Sequence, residues 1–272
     1  MPFSLSVLIP VHNEERTLSQ VLDRVEARAE VSEIVIVDDG STDRTPQILA
    51  TRRFLHPTKV IRHERNMGKG SAIRTALAAA ECQLALVQDA DLEYDPADYP
   101  ALLAPFERPD VTVVYGTRSF SAHSAYSFWF VMGNKLVTHS ANVLFNTYLS
   151  DLESGYKVMP LVTWRSLGLR SNGFDLEPEI TAKLLSRGHR IFEVPISYVA
   201  RSREDGKKLR WQDGVQALWT LASLRAADGR RSRRPAEAGG RLSSAISGDG
   251  RDGSARRTAW AGDGTANVRR VA

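Results

Sequence analysis

Short apolar runs alternating with helical stretches limit what this chain can build. Runs at residues 5–11, 33–37, 59–62, 84–87 and 111–115 are brief, bounded by polar or turn residues, and rich in Val, Ile and Leu. Strands buried on both faces read this way. Between the first two runs, Leu18, Val21, Leu22 and Val25 recur at helical spacing within residues 14–29. Thr42 or Asp43 is suited to cap a helix running towards Arg53. Residues 66–71 open an alanine-rich helix reaching Ala80, and residues 98–106 predict another. This rhythm predicts an α/β fold, a mostly parallel sheet with helices on both faces.

In such sheets ligands bind outside the carboxyl ends of the strands. The polar clusters of this chain fall there: His12-Asn13-Glu14, Asp38-Asp39, residues 66–71, Asp89-Ala90-Asp91 and Gly116-Thr117-Arg118. Asp89 and Asp91 are two residues apart, so in extended backbone they share a face, and two such carboxylates repel unless a cation lies between them. Pro96 then takes the chain out of the sheet. No G-x-G-x-x-G follows the first strand. Gly68-Lys69-Gly70-Ser71 lacks the upstream glycine of a P-loop, His63 standing in its place, and G-x-S-x-G is absent. What remains is an acidic rim suited to a hard divalent cation, Mg²⁺ or Mn²⁺, holding a diphosphate.

Charge is uneven along the chain. The net +4 splits into +6 from residue 225 onward (eleven Arg against five acids) and 4 − 6 = −2 for residues 1–224. Residues 225–272 are rich in Gly, Ala, Ser and Arg without an apolar period, so a basic, disordered, low-complexity tail is expected; no nucleic-acid partner is expected. The single cysteine, Cys82, excludes an internal disulfide and fits a reducing compartment. The apolar run at 5–10 is too short for a secretory signal. The stretch 126–149 is broken by Asn134, Lys135, His139 and Asn142, which argues against a membrane span. Within it Leu136, Val137, Ala141, Leu144, Phe145 and Tyr148 form a helical stripe that either packs on the core or rests on a bilayer surface. A cytoplasmic protein is expected, with peripheral contact to the inner face of the cell membrane left open.

Five segments in order, Ser6-Val-Leu-Ile-Pro-Val-His-Asn-Glu14, Ile36-Val-Asp-Asp-Gly-Ser-Thr-Asp43, Asn66-x-Gly-Lys-Gly70, Asp89-Ala-Asp91 and Gly116-Thr-Arg118, resemble the inverting glycosyltransferases of family 2. The segments 151–157, 174–180 and 188–198 are similar to its dolichyl-phosphate mannosyltransferase and polyprenyl-phosphate glycosyltransferase branch. The resemblance covers residues 5 to about 222. It implies a Rossmann-like nucleotide-sugar-binding fold of the GT-A type over residues 1–224, with a donor half at 1–118 and an acceptor half at 119–224. It also implies a nucleotide-sugar donor of the GDP-mannose or UDP-glucose class. Pro10 and Glu14 would hold the nucleobase and ribose region, with Asp38 and Asp39 on base or ribose. Lys69 and Ala90 join the donor-binding set. Asp91 would coordinate the metal that bridges the donor phosphates, with Asp89 close to the ribose or the metal. Arg118 and Lys157 would reach a phosphate, and a basic loop carrying Arg201, Lys207 and Lys208 would close over the diphosphate.

The implied reaction moves a hexose, mannose or glucose, to a polyprenyl monophosphate. A sugar hydroxyl needs a base to take its proton. A phosphate monoester, with a second pKa of about 6, is already largely dianionic and can attack directly. Two departures from the family pattern are read: Glu153 stands where many relatives have Thr, and no counterpart of the C-terminal membrane helices that many carry is expected in these residues. The alternatives are transfer to a saccharide hydroxyl, with Asp151, Glu153 or Asp175 as base, and a non-catalytic nucleotide-sugar-binding protein.

Overall fold

The computed structural model describes residues 3–118, 128–199, 211–232 and 267–271. Its first four strands, β1 (Leu5–Val11), β2 (Val31–Asp38), β3 (Thr58–Arg62) and β4 (Leu84–Val87), follow the apolar runs closely. They continue into β5 (Val114–Thr117), β6 (Lys157–Pro160), β7 (Phe192–Pro195) and β8 (Asn267–Val271), in the order β7-β5-β6-β4-β1-β2-β3-β8. The β4-β1-β2-β3 block and the β5-β7 pair are parallel. β6 enters antiparallel between β4 and β5, and β8 lies antiparallel on β3.

The period of two in β1 and β2 sorts side chains between two cores. Leu5, Val7, Ile9 and Val11 of β1, with Ile34 and Ile36 of β2, join one core. It is capped by α1 (Leu18–Glu26), α2 (Thr45–Thr51) and α4 (Tyr99–Leu103). Leu8, Val35 and Val37 face the other core, against α3 (Lys69–Ala79), α6 (Leu161–Ser166) and α7 (Leu176–Ser186). Two covered faces explain why these strands read as continuous apolar runs.

Boundaries moved where local chemistry intervened. The first helix starts at Leu18, because residues 14–17 form the turn whose Glu14 carbonyl accepts from Thr17 and Leu18. Pro100 and Pro105 shorten the helix expected at 98–106 to Tyr99–Leu103 between two 3₁₀ turns. The stripe of α5 (Phe128–Phe145) divides. Val137 and Ala141 are buried in a third core with α8 (Trp211–Ser232), whereas Leu136 and Tyr148 are 56% and 86% exposed. The last helix runs past the expected boundary at 224 to Ser232, and residues 267–271 of the basic tail pair with β3; the rest of that tail lies outside the described residues. Among the described residues no helix is long and apolar enough to cross a membrane.

The sheet creates the cleft by being uneven. β4 ends its pairing with β1 at Leu8–Val87, while β1 runs on to Val11 beside β2. Pro10 therefore has no β4 neighbour to disappoint, which is how a proline is accommodated in an inner strand. Above Val87 the space vacated by β4 is where Asp89-Ala90-Asp91 turns.

Candidate active site

A cleft of about 470 Å³ opens over the carboxyl ends of β1, β2, β4 and β5. Pro10 near the end of β1, Glu14 after it, Asp39 after β2, Lys69 at the start of α3, Asp89, Ala90 and Asp91 after β4, and Arg118 after β5 all line it. The far wall comes from Asn134 of α5, Glu153 and Gly155 before β6, Asn172, Gly173, Phe174 and Glu177 around the start of α7, and Tyr198.

The Asp89–Asp91 turn is held from beneath. Gln88 is fully buried; its Oε1 accepts from the hydroxyls of Tyr99 (2.8 Å) and Tyr156 (2.6 Å), and its amide nitrogen donates to the Asp89 carbonyl at 2.9 Å. The Thr17 hydroxyl lies 2.8 Å from both the Ala90 carbonyl and Glu14 Oε2. Asp91 Oδ1 accepts from the Glu93 N–H, and Leu92 between them adopts φ 63°, a left-handed backbone that leucine rarely takes and that marks a constrained turn. Gly155 presses against this turn: a Cβ there would lie 2.8 Å from Asp89 Oδ2.

Lys69 bridges the two walls, 2.9 Å from Asp89 and 3.2 Å from Glu177. Burial alone would lower its pKa, but the two carboxylates outweigh it and hold the ammonium well above the usual lysine value. The turn that presents Lys69 is fixed in turn. Asp39 accepts from the N–H groups of Met67 and Gly68, and His63 bonds its Oδ1 at 2.7 Å. On the other side Gly70 donates to the Asn172 carbonyl and Arg74 donates to the Ser171 carbonyl. A Cβ on Gly70 would fall 1.9 Å from that Ser171 oxygen. Gly70→Ala should therefore part the two loops, costing about 2 kcal/mol or more and lowering Tm by about 4–8 °C; a thermal melt checks it.

Arg118 sets its Nε and Nη2 on the two oxygens of Asp151 at 2.7 and 2.8 Å, and stacks 5.0 Å from the Tyr198 ring centroid. Burial would push the Asp151 carboxyl up, but Arg118 overrides this and holds it below the usual carboxylate range. The pair commits only part of a guanidinium that has five N–H donors.

Two expected site residues are elsewhere. Asp38 is buried below the rim, accepting from the Ser41 N–H at 2.9 Å and facing Arg62 at 3.2 Å. Neighbouring strand residues point to opposite faces, so Asp38 shapes the turn while Asp39 meets the cleft. Lys157, expected at a phosphate, lies under the floor. It is 1% exposed, donates to the carbonyls of Leu152 and Ser154, and sits 4.7 Å from the Tyr115 ring centroid. Burial pushes its pKa down to about 8. Lys157→Met should leave those carbonyls unsatisfied and cost about 2–4 kcal/mol, with turnover of the folded fraction little changed; denaturant melts beside activity check this. Arg201, Lys207 and Lys208 lie outside the described residues.

The sequence reading gave no role to Gln88, Tyr94, Tyr99, Asn172, Phe174 or Glu177. Glu177 carried a signal, since it falls in the segment 174–180, but its partner Lys69 is far away in the chain. Among the described residues no group of three or more His, Cys, Asp or Glu side chains is placed to hold a metal. A cation here would take only one or two protein carboxylates, and the hard oxygens of Asp89 and Asp91 fit that kind of site, in which phosphates and water complete the shell.

Comparison with known proteins bears on the family and the fold. The chain is 30% identical over 207 residues to the low-salt glycan biosynthesis hexosyltransferase Agl6 of Haloferax volcanii, covering 74% of this chain and 49% of that one. It is 27% identical to the dolichol-phosphate mannosyltransferase of Pyrococcus furiosus, covering 75% and 58%. It is 32% identical to the dodecaprenyl-phosphate galacturonate synthase of Rhizobium johnstonii, covering 42% and 36%. The chain thus spans about half the length of these curated relatives. Glucosyl-3-phosphoglycerate synthase from Mycobacterium tuberculosis, solved with Mn²⁺, UDP and glucosyl-3-phosphoglycerate, superposes with a TM-score of 0.64 at 20% identity. That match covers 83% of this chain and 81% of that one, and at such identity it speaks to the GT-A fold alone. The family model for glycosyl transferase family 2 matches residues 6–163, more than half of the sequence, and to that family this chain belongs.

Proposed function

We propose that the chain is a metal-dependent inverting transferase that moves a hexose, mannose or glucose, from a nucleoside-diphosphate donor of the GDP-mannose or UDP-glucose class to a polyprenyl monophosphate. The observation that carries this is the charge of the cleft: Glu14, Asp39, Asp89, Asp91, Glu93, Glu153 and Glu177 face only Lys69 and Arg118 as cationic side chains among the described lining residues. A diphosphate can enter so acidic a cleft only with added positive charge, and Asp91, with Asp89 beside it, would hold a Mg²⁺ or Mn²⁺ ion. When bound, such an ion neutralises the charge that develops on the departing diphosphate. Pro10, Glu14 and Asp39 would line the nucleoside end, Lys69 would position Asp89, and Arg118 would orient a phosphate with the N–H groups that Asp151 leaves available.

The state of the candidate bases supports a phosphate acceptor. Asp151 is engaged by Arg118, and Asp175 is the N-cap residue of α7 and not part of the cleft lining. Two of the three carboxylates able to serve as base for a hydroxyl are thereby out of position, whereas a phosphate acceptor requires no base. The mannosyltransferase and galacturonate synthase named above, both acting with lipid phosphates by name, support this. A lipid tail also has a surface to follow. Asn134 of α5 lines the cleft, and Leu136 and Val143 on α5, with Val215 and Trp219 on α8, are exposed; apolar helix faces of this kind suit an acyl or prenyl chain at a bilayer surface. The test is direct: incubate the protein with labelled GDP-mannose or UDP-glucose, Mn²⁺, and either polyprenyl phosphate or soluble saccharides. Label is expected in the lipid; label only in saccharide would refute the assignment.

A further inference from the structure

Almost every acid on the cleft wall is committed. Asp39 holds the amides of Met67 and Gly68, Asp89 and Glu177 share Lys69, and Asp91 accepts from the Glu93 N–H. Glu93 accepts from the Tyr198 hydroxyl, and Glu14 lies 2.8 Å from Thr17 Oγ1. Glu153 differs. Among the described residues no hydrogen bond or ion pair engages its carboxyl, although it lines the cleft and only part of the residue reaches solvent.

We propose that Glu153 carries its own proton and donates it in a hydrogen bond to the phosphate monoester of the acceptor. This rests on the phosphate-acceptor reading above and deepens it. Desolvation without a partner disfavours the ionised carboxyl. Burial raises its pKa to about 7, with Glu177 on α7 and Asp151 acting in the same direction and Lys157 on β6 and Arg118 after β5 acting against it. A phosphate monoester loses its second proton at about 6. A proton shared between the two groups therefore stays on the carboxyl, and the phosphate remains the dianion that attacks. An ionised Glu153 would instead repel that dianion from a wall already crowded with carboxylates. A neutral donor adds a contact without adding charge.

The test measures acceptor KM and kcat between pH 6.5 and 8.5, using undecaprenyl phosphate in detergent micelles with GDP-mannose or UDP-glucose and Mn²⁺. In the wild-type protein KM should rise about tenfold per pH unit above pH ~7, as the protonated fraction falls, with the effect on KM and not on kcat. Glu153→Gln donates through its amide at every pH, so its KM should lose that slope. Glu153→Leu, similar in size but without a donor, should raise KM at least about tenfold at pH 6.5, again without slope. Donor-induced thermal stabilisation of both variants reports that they are folded. A Glu153→Gln KM that tracks the wild type with pH overturns the inference, as does a kcat loss of about 100-fold at unchanged KM, which would make Glu153 a base. Wild-type protein that uses saccharides and never the lipid phosphate sinks the functional reading and this inference together. Wild-type transfer to the lipid with a pH-independent KM sinks the inference alone.

Discussion

Asp91→Ala is expected to lose at least about 1,000-fold in kcat/KM for metal-dependent transfer, equivalent to about 4 kcal/mol of transition-state stabilisation. Asp91 belongs to a stretch of the cleft that the fold immobilises from several sides: Gln88 beneath, Thr17 beside, Gly155 in front. The bond it accepts from the Glu93 N–H is worth about 1 kcal/mol to folding, less than the expected loss of transfer. A large activity loss with a small change in Tm is therefore the signature to look for. Titrating Mn²⁺ into wild type and variant separates the causes. Full transfer by Asp91→Ala in the presence of EDTA would show that the acidic pair does not hold a metal.

Arg118→Met should cost both stability and activity. The guanidinium and Asp151 form a bidentate pair with side chains 15% and 8% exposed, and removing one member leaves a largely buried carboxylate uncompensated, a loss of about 3–5 kcal/mol. Asp151→Asn in the same protein should recover much of that stability, since it removes the orphaned charge. It should not recover transfer, because the phosphate-orienting donors are still missing. Arg118→Lys is expected to fall well short of wild type, as an ammonium cannot reproduce the planar two-point contact. Chemical denaturation and steady-state kinetics on the single and double variants separate the two effects. Recovery of transfer in the double variant would confine Arg118 to a structural role.

How much of this was legible in the sequence follows from how local each feature is. β1, β2 and β4 are buried on both faces, so their apolar runs announced them, and the polar clusters at their ends marked the rim of the cleft. β6 and β7 are four-residue strands whose partners lie far along the chain, and no local pattern signals an antiparallel insertion. Asp38 and Asp39 are indistinguishable as a dipeptide; which of them meets the cleft depends on the register of β2. Lys157 reads as a phosphate ligand by its place after the Ser154-Gly155-Tyr156 turn, and only its burial against the Tyr115 ring reveals that it lies under the floor. Glu177 is cleft-lining through Lys69, and that contact spans 108 residues. Local chemistry was readable, and the contacts that bring the facing wall to the rim were not, because they are long-range.

The displacement itself can be tested most directly by the anomeric configuration of the lipid-linked product. Attack by the acceptor phosphate opposite the departing nucleoside diphosphate converts an α-linked donor into a β-linked glycosyl phosphate in one step. The one-bond C1–H1 coupling of product made from GDP-α-mannose or UDP-α-glucose distinguishes the anomers by NMR. A β-configured lipid phosphate is the predicted result; an α-configured product would contradict a single in-line displacement in this cleft.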